Sequence, residues 1–353
     1  MLDTLIAQIA AGHALADDQV TDAVNELVNE AVSANLKAEF LGALALKGET
    51  PEEITAFARL LRDKAVVPPL DAATRAGEIL DVCGTGGDRL GTFNISTTVA
   101  IVCAAAGIVV AKHGNRAITS QAGSADVLEA LGVRIDLSPA EAAQSLRDHQ
   151  FAFLFAPNYH PAFKHIAPAR KLCAERGQRT IFNFLGPLLN PVRPTAQLIG
   201  VPRPELCEPI TRVLQSLGVR RGMVVCGRVE PGGTEGAPQA LLDELSTLGT
   251  NTIAEFYQER GFSTSLLSAG QFPLQPATLT DLLGSDRQAN AEIVQRILAG
   301  DERGPKRDAV LLNAGAALLV AGRIRSISEG WELAAQIIDA GQAEAKLKEL
   351  MGR

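Results

Sequence analysis

The chain has 353 residues, 46% of them hydrophobic, which is enough to bury a large core in one large domain or two smaller ones. A net charge of −7 argues against a general nucleic-acid binder, whose surface would be basic. No basic segment precedes an apolar one at the N-terminus, and the apolar stretch 98–111 is too short to span a bilayer. Five scattered cysteines without a CxxC pair favour reduced thiols, so we expect a cytoplasmic protein.

Residues 1–70 are predicted to be helical. Apolar side chains recur at helical spacing, and Thr50-Pro51-Glu52-Glu53 supplies an N-cap, a proline at the first helical position and early acids for a helix ending near Asp63. Val66-Val67-Pro68-Pro69 breaks the pattern and is the best hinge candidate. Amphipathic helices must bury their apolar faces, either in a small helical domain or on another subunit.

The α/β pattern begins with the apolar run Ile79 to Cys83, which predicts a buried strand. It is followed by the glycine-rich loop Gly84-Thr85-Gly86-Gly87-Asp88, in which glycine lets the backbone adopt positive φ and lets a ligand approach closely. Arg89 stands where the dinucleotide fingerprint needs a third glycine, and no Gly-Lys-Ser/Thr of a Walker A loop follows. A loop of this kind alone is common in α/β proteins without any ligand.

Two further loops have the same character. Asn94-Ile95-Ser96-Thr97 carries N-cap residue types and opens a predicted helix Thr98 to Ala106, whose free N–H groups favour an anion. Lys112 to Arg116 follows a predicted strand Ile108 to Ala111, and Ser120 to Ser124 precedes a predicted helix Ala125 to Leu131. Ligands of open α/β sheets bind at the carboxyl ends of strands, so the three loops together predict a ligand with several phosphates.

The rest of the chain continues the alternation. Further elements are predicted as strands at Val133–Ile135, Phe151–Phe155, Ala196–Val201, Gly222–Cys226 and Thr252–Phe256, a helix from Ser138-Pro139, a mobile surface loop at Gly227–Gln239, and mainly helices from Ala289 onwards. The small and apolar residues of Asn313 to Gly322 indicate tight structural packing.

Four motifs carry a specific resemblance. Gly-Thr-Gly-Gly-Asp (84–88), Asn-Ile-Ser-Thr (94–97), Lys-His-Gly-Asn-Arg (112–116) and Gly-Ser-Ala-Asp-Val-Leu-Glu-Ala-Leu-Gly (123–132) are similar, in order and spacing, to the anthranilate phosphoribosyltransferase family of tryptophan biosynthesis. The match runs from Lys47-Gly48-Glu49-Thr50 to Asn313-Ala314-Gly315-Ala316-Ala317.

The resemblance implies an α/β fold with two domains. A small all-helical domain comprises residues 1–70, which residues 160–192 rejoin, and a larger domain with a central, mostly parallel sheet comprises 75–159 and 193–353. A cleft lies between them, and the helical domain makes the contact of a homodimer.

The resemblance also implies a transfer of the phosphoribosyl group from 5-phosphoribosyl 1-diphosphate, the donor, to anthranilate, the acceptor. The donor would be bound by Gly84, Gly87, Asp88, Thr92, Asn94, Ile95, Ser96, Thr97, Lys112, His113, Gly114, Asn115, Arg116, Ser120 and Ser124. The acceptor would be bound by Gly84, His113, Asn115, His160, Phe163, Arg170 and Pro187.

Arg170 closes a segment, Tyr159 to Arg170, that combines aromatic and cationic side chains. From composition alone it is a surface helix with a solvated basic face. By resemblance, Arg170 is the arginine that binds anthranilate, a role suited to a planar fork that pairs with a carboxylate through two hydrogen bonds.

Asp243-Glu244 is, by itself, a pair of solvated carboxylates. The resemblance implies instead that these two residues and Ser96 bind Mg²⁺, with two ions per subunit, and hard Mg²⁺ does prefer such oxygen ligands. The aniline nitrogen of anthranilate is already neutral at pH 7, so no general base is assigned.

Two alternatives remain open. A pyrimidine nucleoside phosphorylase would carry Lys-x-Ser where this chain has Lys112-His113-Gly114-Asn115. A non-enzymatic relative that binds nucleic acid would be basic and would have eroded loops, whereas this chain is acidic and its loops are intact. We therefore expect small-molecule substrates, no nucleic acid and no membrane partner.

Overall fold

The computed structural model describes residues 1–117, 121–230, 240–258 and 261–352. The helices are α1 (Leu2–Ala10), α2 (Asp17–Val28), α3 (Ala34–Lys47), α4 (Pro51–Asp63), α5 (Ala72–Ala76), α6 (Ile95–Ala105), α7 (Ser124–Ala130), α8 (Pro139–His149), α9 (Ala156–Tyr159), α10 (Ala167–Glu175), α11 (Phe182–Leu188), α12 (Cys207–Ser216), α13 (Leu279–Leu282), α14 (Arg287–Leu298), α15 (Pro305–Val320), α16 (Ile327–Asp339) and α17 (Gln342–Leu350). Short 3₁₀ turns lie at Pro161–His165, Pro204–Leu206 and Ala269–Gln271.

One mixed sheet forms the centre of the molecule. Its strands are β1 (Ile79–Gly84), β2 (Val109–Gly114), β3 (Phe151–Phe155), β4 (Ala196–Gly200), β5 (Arg221–Val229), β6 (Ala240–Leu242), β7 (Thr250–Tyr257) and β8 (Gly261–Ser268). The spatial order is β3-β2-β1-β4-β5-β7-β8, with β6 paired to β5. The first five strands of this order are parallel, whereas β6, β7 and β8 add antiparallel pairs, so the predicted mostly parallel sheet is confirmed.

The direction in which successive strands are added to the sheet reverses at β1, although β1 and β4 are parallel. From β1 the chain moves outwards through β2 to β3, and it then returns to place β4 on the other side of β1. Gly84 at the end of β1 lies opposite Gly200 at the end of β4. This is the topological switch point, the position at which open α/β sheets bind ligands.

Helices cover both faces of the sheet. One face packs against a cluster that includes side chains of α6, α7 and α14 to α17. The other packs against a cluster to which α1 to α4, α10, α11 and α12 contribute. The N-terminal helices thus share a core with helices that follow β3, as a helical domain rejoined by residues 160–192 would require, although the domain boundaries themselves stay a prediction.

Local sequence signals explain the best-predicted elements. α4 begins at Pro51 and ends at Asp63, and Thr50 and Glu53 form the expected reciprocal capping box. α8 begins after Ser138, whose hydroxyl accepts the Glu141 N–H. The predicted strands at β1, β3, β4, β5 and β7 are present, and the C-terminal part is helical from Arg287.

Several predicted boundaries are wrong. α6 begins at Ile95 rather than Thr98, and β2 continues to Gly114, so that Lys112 and His113 belong to the strand and not to a loop. The predicted strand Val133–Ile135 does not form: these residues have no regular secondary structure and pair with no strand of the described chain. Alternating apolar residues alone cannot distinguish a strand from a connection that has no strand edge beside it to pair with.

The region after β5 differs from the prediction in a second way. The loop expected from Gly227 begins later, because β5 runs to Val229, and residues 231–239 lie outside the described residues. β6 and β8 were not predicted. β8 is a mostly exposed strand rich in serine and threonine, and it therefore lacks the apolar run that marks a buried strand.

All five cysteines are free and buried, as expected for reduced thiols. Within the described ranges, no helix combines the length and the apolar character that crossing a membrane needs.

Candidate active site

The glycine-rich loop after β1 surrounds a carboxylate. Oδ2 of Asp243 accepts hydrogen bonds from the Gly86 amide at 2.5 Å, the Gly87 amide at 3.3 Å and the Thr85 hydroxyl at 3.2 Å. Gly86 has a φ of +71°, which glycine adopts without a steric penalty. The loop therefore donates several hydrogen bonds to one anionic group of the protein itself, and its binding of a phosphate stays a prediction.

Three carboxylates converge beside this loop. Asp243 and Glu244 are only 6% and 9% exposed, so the interpretation as solvated surface charges is wrong. Burial, together with the negative charge of Asp88, raises the pKa of Asp243 well above its usual range. Burial also raises the pKa of Glu244, to about 7. A cation would offset both the desolvation and the mutual repulsion of these groups.

Ser96 and Lys112 lie on the other side of Glu244. The nearby ammonium of Lys112, together with the amide and hydroxyl of Ser96, counteracts the rise in the pKa of Glu244. Lys112 is 1% exposed, and its Nζ donates to the Val82 carbonyl at 2.6 Å and to Ser96 Oγ at 3.3 Å. Lys112, which was predicted to lie in a loop, thus has its ammonium turned inward, beneath the first turn of α6.

Gly84 and a glycine that the sequence did not single out, Gly200, bring the acidic segment to the sheet edge. A Cβ on Gly200 would lie 1.5 Å from the Asp243 carbonyl oxygen, and one on Gly84 would lie 2.9 Å from the Asp243 carboxyl. Only glycine allows this approach of two backbones. The sequence feature that could have indicated this approach is the position of Gly200 near the end of the predicted strand Ala196–Val201.

An aromatic series leads from β2 into the helical layer. The His113 and His160 rings meet edge to face at 5.2 Å, His160 stacks on Phe163 at 4.9 Å, and Phe163 meets Phe182 at 5.7 Å. The Arg170 guanidinium lies over the Phe182 ring, with Cζ 5.0 Å from its centroid. The structure thus brings together His113, His160, Phe163 and Arg170, four of the predicted acceptor residues, and adds Phe182, whose role the sequence did not indicate.

The two histidines of this series are neutral. Burial lowers the pKa of His113 to about 3 and that of His160 to about 4. His113 Nδ1 lies 3.2 Å from the Gly186 carbonyl, while the Nε2 atoms of both rings are buried without a hydrogen-bond partner among the described residues. Burial also lowers the pKa of Arg170. In the described part of the chain Arg170 has no carboxylate partner, which leaves its fork free for an anionic ligand.

The other predicted residues lie around these two groups. Asn94 precedes α6 but does not cap it; its side chain bonds to the Ala122 carbonyl and to Asn290. Arg116 pairs with Asp126 and Glu129 of α7. The remaining predicted residues are placed as follows: Thr92 bridges to Leu283, Ile95 and Thr97 lie in the first turn of α6, Gly114 ends β2, Asn115 follows it, Ser124 begins α7, Pro187 lies in α11, and Ser120 lies outside the described residues.

The donor atoms at the glycine-rich loop fit a magnesium ion. Asp88, Asp243, Glu244 and Ser96 offer only oxygen atoms, and burial raises the pKa values of Asp243 and Glu244 although the ammonium of Lys112 lies near Glu244. Among the described residues no three acidic, histidine or cysteine side chains converge closely enough to complete a metal site by themselves. Mg²⁺ keeps several waters and is held by one or two carboxylates together with the phosphates of a substrate.

Comparison with known proteins identifies the family to which the chain belongs. Residues 3–65 match the helical bundle domain, and residues 76–344 the α/β domain, of a glycosyl transferase family. The chain is 43% identical to the anthranilate phosphoribosyltransferase of Petrotoga mobilis over 99% of this chain and 96% of that protein. It is 44% identical to that of Roseiflexus castenholzii over 98% of this chain and 96% of that protein. The chain belongs to the anthranilate phosphoribosyltransferase family of glycosyl transferases.

Solved structures agree with this assignment. The enzyme of Thermus thermophilus superposes with a TM-score of 0.85 at 39% identity, covering 98% of each chain. The Saccharomyces cerevisiae enzyme in complex with 5-phosphoribosyl 1-diphosphate and Mg superposes with a TM-score of 0.85 at 26% identity, covering 99% of this chain and 97% of that one.

Proposed function

We propose that this chain transfers the 5-phosphoribosyl group of 5-phosphoribosyl 1-diphosphate to the amino group of anthranilate, releasing diphosphate. One observation carries the proposal. Two groups of residues meet at the edge of the sheet where β1 and β2 are adjacent. One is the loop whose amides donate to an anion, and the other is the series of aromatic rings that ends at an arginine. The relatives named above have this activity, and their similarity extends over both parts of the site.

The donor half suits the departure of diphosphate. Charge develops on the leaving group as its bond to C1 of the ribose breaks, and pre-oriented backbone N–H groups stabilise such charge at no cost in reorganisation. The first turn of α6 provides such donors, while the Gly86 and Gly87 amides donate to the Asp243 carboxylate and hold it beside them. Magnesium, held through Asp243, Glu244 and Ser96, would supply positive charge to the same phosphate oxygens.

The acceptor half suits a benzoate. Neutral imidazole and phenyl rings offer apolar faces to an aromatic ring, and Arg170 offers a fork to its carboxylate. The amine that attacks C1 is neutral, so His113 has no proton to remove before the attack. His113 instead has a buried Nε2 free to orient the amine.

Three finer points belong to the same proposal. The remaining donor and acceptor residues predicted above line these two halves, two Mg²⁺ ions bind per subunit, and the helical domain forms a homodimer in the cytoplasm. Sedimentation of the purified protein at micromolar concentration would report the oligomeric state, and magnesium titration in the presence of the donor would report the number of ions. A monomer, or one ion per subunit, would correct the corresponding point.

The activity is tested by following the fluorescence of anthranilate in the presence of 5-phosphoribosyl 1-diphosphate and Mg²⁺. We expect loss of the signal only when the protein, the donor and Mg²⁺ are all present. Phosphorolysis of thymidine and uridine in the same preparation tests the second enzyme class. Turnover of a nucleoside without consumption of anthranilate would overturn the proposal.

A further inference from the structure

We propose that Asn313, in helix α15, is a positioning residue for the acidic pair Asp243-Glu244. The proposal rests on the proposed function, because it assigns Asn313 to the geometry of the same magnesium and diphosphate site. Asn313 lies on a different element from the pair, almost seventy positions further along the chain, and is fully buried.

The Asn313 amide holds the backbone of the residue that follows the pair. Its Oδ1 accepts the Leu245 N–H at 2.9 Å, and its Nδ2 donates to the Leu245 carbonyl at 2.9 Å. The second hydrogen of Nδ2 is donated to the Ala309 carbonyl, within the same helix. All the donor capacity of this amide is therefore used, and only one side-chain orientation satisfies it.

Asn251 of β7 holds the next residue in the same way. Its Oδ1 accepts the Ser246 N–H at 2.6 Å, and its Nδ2 donates to the Ser246 carbonyl at 3.0 Å. Asn251 is also fully buried. Two consecutive residues, Leu245 and Ser246, are thus fixed through both of their backbone polar groups, Leu245 by a side chain of the distant helix α15 and Ser246 by one at the start of the next strand.

This arrangement determines where the carboxylates lie. A short connection between β6 and β7 has no regular pairing of its own, and a carboxylate that binds a metal must be held to within a fraction of an ångström. Gly200 and Gly227 limit the segment on the sheet side, since a Cβ at either would contact its backbone. Asn313 limits it on the side of α15, which is itself held by the close approach of Gly315 to Gly330 of α16.

The experiment replaces Asn313 by leucine, whose side chain branches at the same carbon but cannot hydrogen-bond. Leu318→Ala is the matched control, because Leu318 is a fully buried residue of α15 in the core cluster. Such supporting partners of metal ligands typically contribute about 10–100-fold to metal affinity or activity. We expect Asn313→Leu to raise the Mg²⁺ concentration for half-maximal activity by about tenfold or more, and the Michaelis constant for anthranilate to stay unchanged.

A binding measurement accompanies the assay. Calorimetric titration with 5-phosphoribosyl 1-diphosphate at fixed Mg²⁺ should show weaker binding for Asn313→Leu than for Leu318→Ala, and excess Mg²⁺ should restore part of it. If Asn313→Leu does not fold, Asn313→Ala is used, which removes the same hydrogen bonds without adding volume and should show the same shift.

The outcomes separate the inference from the function on which it rests. Wild-type protein that does not consume anthranilate would overturn the proposed function. A wild-type enzyme that is active, with a magnesium dependence that shifts in Glu244→Gln but not in the Asn313 variants, would overturn only the positioning role. An equal loss in Leu318→Ala and Asn313→Leu would do the same.

Discussion

The two halves of the site bind charge by opposite means. At the glycine-rich loop, backbone amides surround the Asp243 carboxylate, and buried acids have pKa values raised by desolvation. In the aromatic series, neutral rings surround one guanidinium. The first half has an excess of negative charge and gains from a cation and its phosphate, whereas the second has one positive charge and gains from a carboxylate. Each substrate group is therefore matched to one half and repelled or left unpaired by the other.

The largest expected effect comes from filling the space in front of the first half. Gly86→Val should abolish measurable binding of 5-phosphoribosyl 1-diphosphate, because no protein atom lies within 4 Å of a Cβ there and the side chain would enter the space that the phosphates need. Calorimetry with the donor measures this, and anthranilate binding should persist. Gly218→Ala, at a similar φ of +81° and equally open, is the control for backbone strain. Wild-type donor affinity in Gly86→Val would mean that the loop is only a turn.

The second-largest effect is expected from removing the negative charge of the first half. Asp243→Asn with Glu244→Gln should lower turnover about a hundredfold, which corresponds to a loss of ~3 kcal/mol of transition-state stabilisation. The fold should survive, because neutral amides remove the repulsion of these two buried acids for each other and for Asp88. Steady-state kinetics at saturating Mg²⁺, with thermal unfolding as the control, measures the effect. An unimpaired double variant would exclude these carboxylates from the reaction.

Removing the positive charge of the second half should affect one substrate only. Arg170→Ala should raise the Michaelis constant for anthranilate about ten- to a hundredfold, since a charge-assisted bidentate pair contributes about 1.5–3 kcal/mol. Arg212→Ala is a matched control, because Arg212 also lies over a phenyl ring, Phe262, at 4.6 Å, but is not part of the site. Equal effects of Arg170→Ala on both substrates would instead indicate a structural role.

The smallest expected effect concerns pH. The pKa values of about 3 and about 4 for His113 and His160 lie below the ordinary 6.5. Both rings therefore stay neutral from neutral pH down to about pH 5, and the binding of anthranilate should show no inflection near 6.5 in a fluorescence titration. Below 6.5 the unfolded chain takes up protons that the folded chain does not, so the free energy of unfolding should fall as the pH drops from 6.5 towards 4. His160→Gln should reduce that slope; an unchanged slope would mean that His160 is solvated.

The sequence predicts local features of this protein better than distant ones. The capping box of α4, the strand β1 and the glycine-rich loop follow from residues that are neighbours in the chain. The inward position of Lys112 could not be predicted, because a lysine after a strand has the same pattern whether it projects or is buried against Val82 and Ser96. The burial of Asp243-Glu244 depends equally on the approach of Gly200, which no local pattern encodes.

The helical layer has a consequence for the order in which the chain can fold during synthesis. The buried ammonium of Lys37 bonds to the carbonyl of His165, 128 residues later, and Arg62 Nε bonds to the carbonyl of Leu188, 126 residues later. Helices α1 to α4 leave the ribosome long before these acceptors exist, so their apolar faces must wait, exposed, for α10 and α11. A nascent chain halted before residue 160 should therefore bind chaperones that recognise apolar surface, and one halted after residue 200 and clear of the exit tunnel should begin to release them.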